Sequence, residues 1–325
     1  GESAGSMSVS MLMASPLCKG LFSQAMGSSG SVLGFNPIAT LAEAEQAGME
    51  KAKQMGCNSL EELRALPAEE LMKRAAVNSV PIYNIDGYFM LKQPKEIYAK
   101  GEQMKIPLLV GGNSNEMVTA YILKGKPATL AAVKEAAEAL FGTATDKILQ
   151  LYGINSDADA NGEPGILLAS DMFIGFSTWK WGEMHKLTGG QPVYRYNYCH
   201  PRPDMIVNGK VAGLAGGVQD KKDDTPTTPK LKGAIHSADI EYAMGTLSTN
   251  RIYDWQPEDY VVSDIFSNYY VNFVKTGNPN GLGLIDWTAT NGKAIAPVLQ
   301  IDVNTIEKSD SQLEQRYEYI DSLFK

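Results

Sequence analysis

Three observations predict an α/β architecture built on a largely parallel sheet. The run "IPLLVGGNSNE", Ile106 to Glu116, stays apolar until it reaches Gly-Gly-Asn, which is how a strand buried on both faces of a parallel sheet reads. Apolar strand-like runs alternate with helical segments along the chain. The chain also opens on Gly1-Glu2-Ser3-Ala4-Gly5, the G-x-S-x-G spacing of a strand turning sharply into a helix with the serine at the apex. Such a serine sits in a strained conformation, and the residues two before and two after it are expected to lack bulk. Alone, the five-residue pattern equally fits a Gly/Ser-rich loop, so its meaning depends on partners elsewhere.

The elements follow in order. Ala4 to Ala14 has no breaker before Pro16 and reads as a helix. "LFSQAMGSSGS" reads as a short strand running into a Ser/Gly turn. Thr40-Leu41-Ala42-Glu43 is a capping box, and the helix it starts places Leu41, Ala44, Gly48, Ala52 and Met55 on one face, with Gly56 at its C-cap. Ser59 to Glu62 repeats the box, and Pro67 ends that helix. Thr129 to Phe141 is helical by composition and period, and "PVYRYNYC", Pro192 to Cys199, is rich in the Val and Tyr that suit strands. Asp259 to Lys275 is a helix with Val262, Phe266, Tyr269 and Phe273 inward, stopped by Gly277 and Pro279. Gln312 to Phe324 makes a final helix.

Composition narrows the function classes. Net charge is −8, which argues against nucleic acid or an anionic membrane as partner, since both reward clustered Lys and Arg. No apolar run approaches the roughly 20 residues of a membrane span. Cys18, Cys57 and Cys199 form neither a disulfide framework nor a zinc spacing and read as packed thiols. No linker, repeat or low-complexity tract appears, so residues 1–325 are expected to belong to one domain. Between His200 and His236 lies a stretch rich in Gly, Pro and charge that reads as a long loop. It is either a solvated insertion or, because it ends one residue before His236, the rim or lid of a pocket.

A serine hydroxyl is a poor nucleophile at neutral pH and needs a base, which in turn needs an acid group to orient it. Three histidines are available. His185 falls near the end of a helix, where a cation suits the dipole, and is expected at the surface. His236, in the turn "KGAIHSADIEY", is the first candidate for the base by position, with His200 at the end of a strand as the second. Glu116, directly after the apolar strand, stands where a carboxylate at the C-terminal edge of a parallel sheet should emerge; its other reading is an exposed loop residue.

Taken together, "GESAGS", "SPLCKGLFSQAMGSSGS", "IPLLVGGNSNEM", "PVYRYNY", "GAIHSADIEYAMG" and "NFVKTGNPNG" resemble the type-B carboxylesterase family from Gly1 to the last helix. The resemblance implies the α/β-hydrolase fold, a central, mostly parallel sheet with helices on both faces. It implies carboxylic ester hydrolysis with Ser3 as nucleophile, Glu116 as acid and His236 as base. Ala4 would supply an oxyanion N–H, Ser29 would hydrogen-bond within the triad, and Glu2 would lie near the catalytic histidine. A small-molecule ester is the implied substrate, with no metal or organic cofactor. The chain departs from the family pattern at Asn115-Glu116-Met117, where Asp-Glu-Gly is usual, at Ser28, where Gln is common, and at Asp239, where Glu is more usual. Asp239 is expected to be structural, and no cysteine pairs match the disulfides of the animal cholinesterases. The alternative class is a non-catalytic binding or adhesion protein on the same fold, which typically lacks the nucleophile or base. The elbow's strand and the Gly-rich segment carrying the other oxyanion donors would precede Gly1. On this reading the chain is the C-terminal part of the domain. Its expected protein partner is the N-terminal part of the same enzyme, or another copy through an unpaired edge at "FSQAMG" or "PLLVGG". The compartment stays open.

Overall fold

The computed structural model describes residues 1–75, 83–214, 216–221 and 231–324. The strands β1 (Ala25–Ser28), β2 (Leu108–Asn113), β3 (Val193–Tyr198), β4 (Pro297–Ile301) and β5 (Ile306–Ser309) lie side by side in that order. β1 to β4 are parallel, and β5 returns antiparallel to β4. The apolar run after Ile106 forms β2, which is paired on both edges and fully buried at Leu108 and Leu109. β1 is outermost on one side, and Glu2 bridges Ser28 in parallel there.

Side chains of a strand alternate between faces, and each face carries its own helices. Leu108, Val110 and Val193 pack with Met13 and Ala14 of α1 (Ala4–Ala14) and with Trp181 and Met184 of the helix Phe176–Thr188. Leu109, Tyr194, Tyr196 and Tyr198 face the other way, against Val262, Phe266, Tyr269 and Phe273 of the helix Pro257–Thr276. Those four helix residues are all fully buried, as their spacing predicts. Burying each contributes about 1.5–3 kcal/mol over leaving it exposed. The helix stops at Gly277, whose φ of +75° suits a residue without Cβ.

Besides the helix Leu41–Gln54, the further long helices in chain order are α2 (Leu130–Phe141), α3 (Phe176–Thr188), α4 (Pro257–Thr276) and α5 (Ser311–Leu323). A third apolar cluster joins Val133 and Phe141 of α2, Phe176 and Trp179 of α3, and Tyr317 and Ile320 of α5. Immediately before α3 the helix Glu163–Ser170 widens into a π-helical turn, Asp171–Gly175.

Several local expectations need correcting. Thr40 and Glu43 form the capping box, but only Ala52 and Met55 of that helix face are buried, whereas Leu41 and Gly48 are exposed. At Ser59 only half a box forms: Ser59 Oγ accepts from Glu62 N–H, while the Glu62 carboxylate accepts from Asn58 N–H. His185 is not at the surface. α3 carries it into the core, where Nε2–H donates to Ile106 O at 2.8 Å and Nδ1 lies 3.2 Å from the Gln103 amide nitrogen. Burial pulls its pKa down, which fits a neutral structural imidazole. The stretch 201–235 contains a short antiparallel ladder, Lys210–Ala212 with Val218–Asp220. Gly216 and Gly217, at φ +78° and +71°, supply its turn. Residues 222–230 of that stretch lie outside the described residues.

Candidate active site

Glu2 pairs with the end of β1, and the chain then turns into α1 at Ser3, which sits at φ 52°, ψ −119°. Ser3 N–H donates to Ser28 O at 2.9 Å, and Ser3 O accepts from Met7 N–H at 3.0 Å. The hydroxyl is thereby held at a strand–helix junction in a backbone conformation that L-residues rarely adopt. The demand for small neighbours is one-sided: a Cβ at Gly1 would lie 2.3 Å from Gly5 O, whereas a Cβ at Gly5 would meet nothing within 4 Å.

Glu116 leaves the end of β2 and is 4% exposed. Its Oε1 accepts from Ser29 Oγ at 2.5 Å and from Asn113 N–H at 2.6 Å. Its Oε2 lies 2.6 Å from His236 Nδ1, and His236 Nε2 lies 2.9 Å from Ser3 Oγ. A carboxylate only accepts, so Nδ1 carries the proton and Nε2 is left to accept from the serine. The structure therefore brings Ser3, His236, Glu116 and Ser29 into one chain of hydrogen bonds, although they are spread over 234 positions of sequence.

The loop carrying His236 is stitched to the loop carrying Glu116. Asn115 N–H donates to Ala234 O at 2.9 Å, Ala234 N–H to Ser114 Oγ at 3.0 Å, and Gly233 N–H to Asn115 Oδ1 at 2.8 Å. The side chains of Ser114 and Asn115 thus both tie the two loops together.

Burial alone would lower the His236 pKa. The Glu116 hydrogen bond and charge outweigh it, helped by the charges of Glu2 and Asp239, so the imidazole titrates above its ordinary value. Glu2 Oε1 stands 3.4 Å from His236 Nε2 and 2.7 Å from Ser237 Oγ. Burial raises the Glu2 pKa, against the Ser237 bond and the histidine charge. Ala4 opens α1, so its N–H is among those with no acceptor inside the helix. His200 does not join this group: its Nε2 is 2.8 Å from Asp259 Oδ1 and its Nδ1 is 3.1 Å from Asp302 Oδ1.

Two further neighbours shape the surroundings of His236. Asp239, one turn after His236, accepts from Ser28 Oγ and, at 3.1 Å, from Asn113 Nδ2, so it ties the histidine loop to the ends of β1 and β2. Asp239 is thus structural, as the sequence reading expects. Phe173, on the π-turn, meets the His236 ring edge-on, with centroids 5.1 Å apart. Nothing in the sequence marks a residue 63 positions upstream as a neighbour of the histidine. Among the described residues, no group of three or more His, Cys, Asp or Glu side chains is arranged to hold a metal ion, and no helix is long and apolar enough to cross a membrane.

Comparison with known proteins agrees with this architecture. The chain superposes over its whole length on two PNB esterase structures, one described as thermophilic, with TM-scores of 0.70 and 0.71, at 22% identity and covering 62% of each. That likeness shows the α/β-hydrolase fold. It is 27% identical over 314 residues to a medium-chain fatty acyl-CoA hydrolase precursor from Anas platyrhynchos, covering 88% of this chain and 51% of the relative. It is likewise 27% identical over 352 residues to a liver carboxylesterase from Sus scrofa, covering 94% of this chain and 55% of that protein. The chain therefore spans about half the length of these curated relatives. The model of the Carboxylesterase family matches residues 1–320, and the chain belongs to that family.

Proposed function

We propose that the protein hydrolyses carboxylic esters through an acyl-Ser3 intermediate. The observation that carries this reading is the unbroken hydrogen-bond chain from Ser3 Oγ through His236 to Glu116, at 2.9 and 2.6 Å. The relatives' names, acyl-CoA hydrolase and carboxylesterase, support it. His236 Nε2 takes the Ser3 proton as Oγ attacks the ester carbonyl carbon, and the carbonyl oxygen becomes an oxyanion. Glu116 stays ionised and stabilises the imidazolium through Nδ1–H, with Ser29 and the Asn113 N–H fixing the carboxylate. Ala4 N–H donates to the oxyanion, a contribution of about 3–4 kcal/mol per donor in sites of this kind. When the carbonyl re-forms, the ester C–O bond breaks and the imidazolium proton goes to the departing alkoxide. Water then attacks the acyl group, giving its proton to His236, which returns it to Ser3 as the carboxylic acid leaves.

The experiment compares Ser3→Ala with the parent on p-nitrophenyl butyrate, using the native protein. A fall in kcat of about 10³-fold or more is expected, because triad members act as a unit. Retention of most of the activity would overturn the assignment.

A further inference from the structure

His236 and Ser237 form the centre of a tight turn, closed by Ala238 N–H donating to Ile235 O at 3.0 Å. Ser237, third in that turn, has a φ of +62°, in a position where Gly or Asn is usual. It is fully buried, so its surroundings must hold it in that conformation. The side chain is fixed: Ser237 Oγ lies 2.7 Å from Glu2 Oε1 and 2.9 Å from Leu214 O. The carbonyl is fixed too. Arg202 Nη2–H donates to Ser237 O at 2.6 Å, whereas Ile240 N–H reaches the same oxygen only at 3.5 Å.

Arg202 is built as a rigid arm. It stands between Pro201 and Pro203, and a residue before proline is confined to extended backbone. His200 pins the root of this segment: its ring nitrogens meet Asp259 in the first turn of α4 and Asp302 just after β4. The arginine side chain is 5% exposed, and its guanidinium lies 5.4 Å from the centre of the Tyr253 ring. The same Nη2 donates to Glu241 Oε2, and Glu241 Oε1 accepts from Asn250 Nδ2 at 3.1 Å. Pairing with Glu241 balances a charge taken out of water. It does not account for the second contact, to the carbonyl of the strained residue beside His236.

We propose that Arg202 is a positioning residue for His236: by holding the Ser237 carbonyl, it fixes the turn that aims the imidazole between Ser3 and Glu116. This rests on the ester-hydrolase reading above. The ring has little latitude, because Nε2 lies 2.9 Å from Ser3 Oγ while Nδ1 lies 2.6 Å from Glu116 Oε2. Without the arginine, Ser237 can relax towards negative φ, and the ring then leaves the line between its two partners. Arg202 touches neither the ester nor the reacting atoms, so its removal acts on kcat more than on KM.

The test separates position from stability by measuring urea unfolding, and kcat and KM for p-nitrophenyl butyrate, on the native protein and two variants. Arg202→Ala strands the Glu241 carboxylate, so both stability and activity should fall. Arg202→Met combined with Glu241→Leu removes both charges, and apolar replacement of a buried ion pair often restores stability. A purely structural role would let kcat recover along with stability. The positioning role keeps kcat of the double variant about 10²-fold below the parent, the cost of displacing a catalytic group by an ångström, with KM changed less. A kcat within twofold of the parent in the folded double variant would overturn the proposal. Arg202→Lys serves where the double variant does not fold: it keeps the charge, but its ammonium ends about one bond short of Nη2. Its kcat should fall about 10-fold, and a kcat within twofold of the parent would overturn the proposal there as well. Hydrolysis persisting in Ser3→Ala would instead sink the triad reading, so the two failures are distinguishable.

Discussion

Asp239 accepts a hydrogen bond from Ser28 Oγ, joining the turn that carries His236 to the strand end whose carbonyl holds the Ser3 amide. Ser28 and Asp239, both read from the sequence as departures from the pattern that the resemblance implies, meet each other. Asp239 also accepts from Asn113 Nδ2, and the Asn113 N–H donates to Glu116, so one buried carboxylate reaches the supports of all three triad residues. Asp239→Ala leaves the Ser28 hydroxyl and the Asn113 amide without this acceptor, at about 1–3 kcal/mol for each group left unsatisfied. Asp239→Asn keeps an acceptor for Asn113, and the rotatable Ser28 hydroxyl can accept from the new amide, so its loss should be smaller. Denaturant unfolding checks the order: parent, then Asn, then Ala. Equal stability of all three would mean that the network holds nothing in place.

Gly112 is a sharper constraint. A Cβ there would lie 2.6 Å from Glu116 Oε1 and 3.4 Å from Ser29 Oγ. Glu116 cannot retreat without stretching its bonds to His236 and Ser29. Gly112→Ala is therefore expected to lower kcat about 10²-fold, the cost of misplacing a catalytic group by an ångström. Overpacking should cost about 1–3 kcal/mol in stability. Steady-state kinetics on a variant shown to be folded decide, and a kcat within twofold of the parent would contradict the crowding.

The acid limb of the pH profile tests the electrostatics. In the proposed mechanism His236 must be neutral to accept the Ser3 proton, so kcat/KM is expected to fall as pH drops through its pKa. Burial lowers that pKa, but the Glu116 bond and charge, then Glu2 and Asp239, bring it above the ordinary value. Glu2→Gln removes one negative charge 3.4 Å from Nε2, so the imidazolium loses stabilisation and its pKa falls. The acid limb should then move to lower pH, leaving more neutral base at mildly acidic pH. A limb that stays in place, or moves up, would show that Glu2 does not act on the imidazole.

What was legible in the sequence follows from how local each signal is. Helix α4 was readable because four apolar residues at helical spacing and a Gly-x-Pro stop lie within one window. β2 was readable because a strand buried on both faces leaves an uninterrupted apolar run. The elbow is equally local, and the family resemblance implies the roles proposed for Glu116 and His236, which position alone leaves open. His185 is buried rather than exposed: the helix-end argument sees charge and dipole but not what the helix packs against. Here that is the segment holding Gln103 and Ile106. Asp239 is structural, as the sequence reading expects, but its partners and those of Asn115 and Phe173 lie across the sheet end, where spacing along the chain carries no information.

Ser29 offers a case in which backbone strain and side-chain chemistry can be separated. It is fully buried, sits at φ 59°, and donates Oγ to Glu116 at 2.5 Å. Ser29→Ala loses the hydroxyl but keeps a Cβ in the left-handed region. Ser29→Gly loses the hydroxyl and the Cβ that makes this conformation costly. If the hydroxyl orients the Glu116 carboxylate, both variants should lose activity by about 10-fold, the lower end for partners that orient a catalytic group. If the backbone is strained at this position, the glycine variant should be more stable than the alanine variant by about 1 kcal/mol, less the extra freedom glycine gives the unfolded chain. Kinetics and urea unfolding on the same two proteins therefore read different quantities. Equal activity losses with unequal stabilities would assign the hydroxyl to orientation and the conformation to strain. Full activity in both variants would mean that Asn113 N–H and His236 hold Glu116 without help from Ser29, and an alanine variant more stable than the glycine variant would remove the case for strain.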